Sequence, residues 1–249
     1  MSEIVLILFF SLVGLITGFF DSLVGAGGLF SIPSLVFLGL PPQTAIATDR
    51  FGVIGQAIVA VIKFWKAKKI VWKFVPFLVV LALIGSYIGA NFLLNTDPKN
   101  LSKIIAIIIF VLLPLVFLKN DFGIKHFVIN KKKAVVGLLS YFVIMVFAGF
   151  SGQGTGPMVF YTLTFFFGLT MIESLGTGLV PWLVLSVSST IIFGLNGIID
   201  YKVGAVLFVT MSIGSYAGAH IAIKKGDIWI KRLFVVLVVV MGLKLLIFH

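Results

Sequence analysis

The sequence predicts an all-α polytopic membrane protein: two inverted five-segment repeats, each with a broken, half-length second helix. Three observations lead there. The composition is 60% hydrophobic and only 11% charged, with a mean hydropathy of +1.22, too apolar to clothe a soluble surface of 249 residues. Continuous apolar runs of about 20 residues recur along the whole chain, as membrane helices require and alternating barrel strands do not. Finally, "GSYIGA" at 85–90 returns as "GSYAGA" at 214–219, an offset of 129. Without a gap, the same offset places Gly25 on Gly154, Gly27 on Gly156, Gly39-Leu40 on Gly168-Leu169, Thr48 on Thr177, Phe64 on Phe193 and Lys73 on Lys202. Matches of that number at one offset indicate a duplicated unit.

The organisation follows: 1–120 is a first transmembrane repeat, 121–129 a cytoplasmic linker and 130–249 a second repeat. The apolar segments of the first lie near 4–24, 29–38, 43–62, 74–95 and 101–118. Those of the second lie near 134–149, 157–168, 172–194, 203–223 and 229–247. Each second segment has ten to twelve residues, about 15–18 Å of helix, half of a hydrocarbon core about 30 Å thick. Helix punctuation agrees. Asp97-Pro98 reads as an N-cap with proline at the first helical position. Thr170 and Glu173 have capping-box spacing, and Gly226-Asp227 reads as a stop followed by a new cap. Met1-Ser2-Glu3 lacks a basic signal-peptide start, so 4–24 is expected to be retained.

Charge sets orientation. Lys63, Lys66, Lys68, Lys69 and Lys73 share one loop. Lys119, Lys125, Lys131, Lys132 and Lys133 lie in or beside the linker, and Lys224, Lys225, Lys231 and Arg232 share a third loop. These fourteen of nineteen basic residues predict three cytoplasmic loops. The loop 63–73 matches 192–202, which carries only Lys202, so equivalent loops fall on opposite sides. The two units are then inverted and both termini lie outside the cytoplasmic membrane. The net charge of +11 is thereby spent on orientation, and no nucleic-acid partner is expected. With no cysteine there is no disulfide framework or thiolate metal site, and no metal or cofactor is expected.

Inverted repeats with short, Gly/Pro-interrupted segments at matching positions mark secondary transporters. The interruptions are Gly25, Gly27 and Gly28 in one half, and Gly152, Gln153, Gly154, Thr155, Gly156 and Pro157 in the other. Irregular backbone at membrane depth is tolerated only where protein buries it or a cavity adjoins it. Each break opens a half-helix N-terminus, whose N–H groups and positive dipole end favour an anion. No βαβ context surrounds these glycines, so they are not a dinucleotide motif.

The stretch "DSLVGAGGLFSIPSLVFLGLPPQTAIATDR" resembles the glycine-rich signature of the TauE/SafE family, the sulfite exporter-like membrane proteins. The matching elements are Asp21, Gly25 to Gly28, Pro33, Gly39, Pro42 and Ala47-Thr48-Asp49-Arg50. The resemblance implies export of a small sulfur-containing anion, such as sulfite or an organosulfonate. Members often carry Asn-Lys where this chain has Asp49-Arg50, and the second half has Gly178-Leu179 there, so the substrate does not carry over with the signature.

The candidate substrate-binding residues are Gly25, Gly27, Gly28, Thr48, Arg50, Gln153, Gly154, Thr155, Gly156 and Thr177. Apart from Lys244 near a segment end, Arg50 is the Arg or Lys set deep in an apolar segment, a functional position by default. Its planar fork suits an oxyanion. Asp49 either pairs with it or carries a proton, and Asp21 either caps exposed N–H groups or couples protons. Thr48 and Thr177 either donate to substrate or bond back to a helix carbonyl. Gln56, two turns past Asp49, is placed near the same cavity. His220, the equivalent of Asn91, is the third proton-coupling candidate. Trp65, Trp72, Trp229 and Tyr201 fall at segment ends as interfacial anchors.

Gly149-Phe150-Ser151-Gly152 matches the nucleophile motif of rhomboid-like intramembrane serine proteases, with His220 on a later segment. Ser151 is, however, the repeat-mate of Ser22, and His220 that of Asn91. No enzyme is expected. The sequence favours a secondary transporter exporting a small anion, with a passive anion channel as the alternative and the lipid bilayer as surroundings.

Overall fold

The computed structural model describes residues 3–96, 123, 124, 126, 130–151 and 155–247. Among these, eight helices and no strands form: α1 (Glu3–Val24), α2 (Gly28–Phe37), α3 (Pro42–Lys66), α4 (Val75–Leu94), α5 (Lys131–Ser151), α6 (Gly156–Phe167), α7 (Met171–Leu195) and α8 (Tyr201–Ile247). Six of them, all but α2 and α6, are long and apolar enough to cross a membrane. The half-length segments are therefore real helices of ten and twelve residues. The segment expected at 101–118 and the Asp97-Pro98 cap lie outside the described residues.

Local chemistry sets the ends. The capping box at Thr170 is complete, its hydroxyl accepting from the Glu173 N–H while the Glu173 carboxylate accepts from the Thr170 N–H. Gly226, at φ 75° and ψ −173°, breaks α8 into 201–225 and 227–247. Asp227 does not serve its own helix as expected. Its carboxylate accepts at 2.8 Å from the N–H of Ile172, so it caps the first turn of α7 instead.

Packing follows the offset of 129, which maps α1, α2, α3 and α4 onto α5, α6, α7 and the first part of α8. α1 packs on α8 as α5 packs on α4, α3 packs on α8 as α7 packs on α4, and α3 and α7 pack on each other. The repeated glycines make these approaches. A Cβ at Gly214 or Gly218 would overlap the backbone of Leu15 or Phe19 on α1, and one at Gly85 or Gly89 would overlap that of Met145 or Val146 on α5. Between helices in lipid, such close backbone contact substitutes for a hydrophobic driving force.

Gly214→Val is therefore expected to force α1 and α8 apart. Overpacking of this kind costs about 1–3 kcal/mol. It should read as a lower thermal midpoint of detergent-solubilised protein, and an unchanged midpoint would separate the glycine from the packing.

Candidate functional site

The glycine breaks are the tips of two helical hairpins. α2 folds back along α1, with the Phe20 and Phe30 rings 5.3 Å apart. α6 folds back along α5, where Gly137 lies against Phe166 and Phe167. At the first tip Gly25 has φ +68°, a left-handed geometry that suits glycine. A Cβ on Gly27 would sit 2.6 Å from that of Asp21. At the second tip Thr155 precedes α6 and Pro157 lies in its first turn. Gly152, Gln153 and Gly154 fall outside the described residues.

The tips touch each other. A Cβ on Gly25 would lie 2.9 Å from the Gly156 Cα, and one on Gly156 would overlap the Gly25 backbone. Beside the contact is a cavity lined by Asp21, Gly25, Gly156, Gly178 and Trp182. Its free volume of about 20 Å³ accommodates one water molecule.

The two N-termini at this junction are not equivalent. The Asp21 carboxyl oxygen accepts at 3.0 Å from the Gly27 N–H, so the positive end of the first half-helix already has a side-chain acceptor. This is the capping alternative for Asp21. In the second unit Phe150 stands where Asp21 would be. Thr155, 1% exposed, makes no capping bond and its hydroxyl has no partner among the described residues.

Arg50 and Asp49 are wholly buried on α3. An Nη2 hydrogen of Arg50 is donated to the Ala148 carbonyl on α5. Its guanidinium carbon lies 5.0 Å from the centroid of the Trp182 ring on α7, within cation–π range. Asp49 and Asp21 both lie within electrostatic range of the guanidinium. Asp49 faces the Ser31 side chain of α2, and neither carboxylate oxygen closes a hydrogen bond among the described residues. A charge at this depth costs about 2.5–3.5 kcal/mol even on insertion scales. Here it is met by a carbonyl, a ring face and two carboxylates.

Thr48 and Thr177 do not line the cavity. Thr48 Oγ1 accepts from the Asp200 N–H at 3.0 Å, and Thr177 Oγ1 accepts from the Val71 N–H at 2.9 Å. Neither bonds back to its own helix. The bonds exchange under the offset, because Thr48 matches Thr177 and Val71 matches Asp200. Gln56 donates to Ser22 Oγ at 3.4 Å, Ser22 to Ser215 Oγ at 2.7 Å, and Ser215 to the Gln56 carbonyl at 2.9 Å. This ring ties α1, α3 and α8 together directly beside Asp21, the residue before Ser22. His220 is exposed on α8 and lines a separate groove. Ser151 donates to the Phe147 carbonyl at 3.0 Å, so its hydroxyl hydrogen is engaged on its own helix.

Trp182 is the residue that sequence reasoning missed. It is 93% buried, and its Nε1–H has no partner among the described residues. Its signal was position: the other three tryptophans sit at segment ends, whereas Trp182 falls in the middle of one.

A family model described as Sulfite exporter TauE/SafE matches residues 10–245. Relatives similar to this chain include a "Probable membrane transporter protein" of Haemophilus influenzae, 25% identical over 94% of this chain and 91% of the relative. The "Probable membrane transporter protein YfcA" of Escherichia coli is 26% identical over 96% and 88%. The "Probable membrane transporter protein YdhB" of Bacillus subtilis is 25% identical over 89% and 88%. No solved structure matches the chain.

Replacing Asp21 tests the cap. Asp21→Ala leaves the buried Gly27 N–H unpaired and is expected to lower stability by about 1–3 kcal/mol. Asp21→Asn keeps an acceptor oxygen and should lose less. Equal thermal midpoints for the two variants would remove the carboxylate from the α2 terminus.

Proposed function

Since the chain belongs to the sulfite exporter TauE/SafE family, we propose that it is a secondary transporter. In this reading it exports a small anion, a sulfur-containing oxyanion or organosulfonate, across the cytoplasmic membrane. The relatives' names, probable membrane transporter proteins, support the transport half of that statement. The observation that carries the anion half is Arg50, a wholly buried cation beside two touching half-helix hairpins. Such hairpins bring N–H groups and a positive dipole end to membrane depth without exposing them to lipid.

The reading assigns roles unevenly. Arg50 supplies charge, the orphan N–H of Trp182 and hydroxyl of Thr155 supply neutral donors, and Gly25, Gly28 and Gly156 let the ligand approach backbone. Gln153 and Gly154 belong to the same tip by sequence. Gly27 is the least available, its N–H being engaged by Asp21. Thr48 and Thr177 act here as symmetry-matched ties for the neighbouring loops. Asp21 and Asp49 are the proton-coupling groups, since they flank Arg50, and His220 lies apart from them. With both carboxylates ionised the trio carries a net charge of −1, and protonating one neutralises it. Anion affinity is therefore expected to rise as pH falls. The one-water cavity makes this a closed conformation, so an oxyanion enters only when the hairpin tips part. That gating favours a transporter over an open anion channel.

Inversion of the two units completes the mechanism. The reciprocal Thr48–Asp200 and Thr177–Val71 bonds and the exchanged packing of α1 on α8 and α5 on α4 support it. So does the unequal charge of equivalent loops, five lysines in 63–73 against Lys202 alone in 192–202. Cysteines introduced in otherwise cysteine-free protein test the orientation. Residue 68 is expected to be shielded from impermeant reagent in intact cells, and residues near the N-terminus to react. Labelling of residue 68 from outside would reverse the topology.

Arg50 is tested in proteoliposomes with sulfite, thiosulfate, sulfoacetate and chloride as probes. Arg50→Ala should lose a charge-assisted contact of about 1.5–3 kcal/mol, roughly a ten- to hundredfold rise in apparent Kd. Arg50→Lys should recover only part, because an ammonium lacks the bidentate fork. Unchanged affinity in folded Arg50→Ala would take Arg50 out of the site, and current without saturation or pH linkage would favour the channel.

A further inference from the structure

A second anion-attracting feature lies outside the hairpin junction. Where α8 breaks at Gly226, a groove of about 540 Å³ opens between it and the end of α1. One wall is apolar, formed by Phe19, Leu23 and Trp229, and the rim is basic, formed by His220, Lys224 and Lys225. One turn before His220, the Lys63 ammonium sits 3.5 Å from the Tyr216 ring centroid, adding a third lysine to this face. The nearby carboxylate of Asp227 is engaged by the Ile172 N–H at 2.8 Å.

The groove is not part of the duplicated machinery. Under the offset of 129, His220, Lys224 and Lys225 match Asn91, Asn95 and Thr96, which are uncharged. Those three side chains donate to carbonyls of their own helix at 2.7–2.8 Å. The charge is therefore specific to the second unit, and transport chemistry shared by both hairpins does not require it. An apolar slot with two lysines at its mouth, at the end of a membrane-crossing helix, complements one ligand class: an anionic phospholipid, phosphate on the lysines and acyl chain along Phe19 and Leu23.

We propose that this groove is a binding site for an anionic phospholipid. Each lysine near a membrane surface contributes enough to change affinity severalfold, so losing two should weaken binding by roughly tenfold or more. The test uses the full chain in nanodiscs of phosphatidylcholine with brominated phosphatidylglycerol, and tryptophan fluorescence as readout. Brominated phosphatidylglycerol is expected to quench the wild type more than brominated phosphatidylcholine does, and Trp229→Phe should remove that excess. The excess should be lost in Lys224→Gln/Lys225→Gln and kept in Lys66→Gln/Lys68→Gln, which removes the same charge from an exposed loop. Four results overturn the proposal: no preference in the wild type, equal loss in both double variants, an excess that survives Trp229→Phe, or displacement of the lipid by millimolar inorganic phosphate.

Discussion

The burial of one guanidinium constrains everything around it. Arg50 has no route to water, so its charge has to be met inside the helix bundle. Each compensating group comes from a different element: Ala148 on α5, the Trp182 ring on α7, Asp21 at the end of α1, and Asp49 on α3 itself. Helices that share nothing in sequence order are thereby held to one point. The hairpin tips meet beside that point, since Asp21 serves both the guanidinium and the N-terminus of α2.

The hairpins solve a second problem, that of unpaired backbone at membrane depth. A chain reversing inside hydrocarbon leaves N–H groups that lipid cannot satisfy. The first tip satisfies one of them with a carboxylate and buries Gly25 against Gly156. The second tip has no carboxylate in its sequence and keeps at Thr155 a buried hydroxyl without a partner among the described residues. The two hairpins share a backbone plan and differ in side chains, with charge beside one and an aromatic donor beside the other. At equivalent positions Arg50 faces Leu179, Asp49 faces Gly178 and Trp182 faces Val53. A second full set of charges would leave a second buried cation to compensate.

Close glycine packing gives the bundle rigidity where the hairpins need support. Gly214 and Gly218 seat α8 on α1, while Gly85 and Gly89 seat α4 on α5. The Ser22–Ser215–Gln56 ring locks the first hairpin to α3 and α8 just above its tip. At the tip-to-tip contact Gly25 meets Gly156 and the Phe160 ring of α6, and no hydrogen bond joins Gly25 to Gly156 among the described residues.

Much of this was legible before any fold was in view, because membrane helices obey local rules. Apolar run length marked the six described spans, the half-length segments marked α2 and α6, and Thr170 with Glu173 fixed where α7 begins. An offset of 129 revealed the duplication, since repeated backbone contacts demand repeated glycines. Arg50 stood out because a charge in an apolar run is conspicuous. Other features depend on which helices touch, and one-dimensional patterns do not carry that. Trp182 looked like one more apolar residue until α7 brought its ring over Arg50. Thr48 and Thr177 accept from N–H groups more than a hundred residues away, at Asp200 and Val71. Asp227 read as a cap for its own helix, yet it caps α7, because the break at Gly226 turns it across the bundle. The sequence alone determined the six described spans, the two half-length helices and the buried charge, through hydrophobicity and backbone propensity. Tertiary structure decided which polar groups meet, because partners for a buried charge are selected by helix packing across more than a hundred residues of chain.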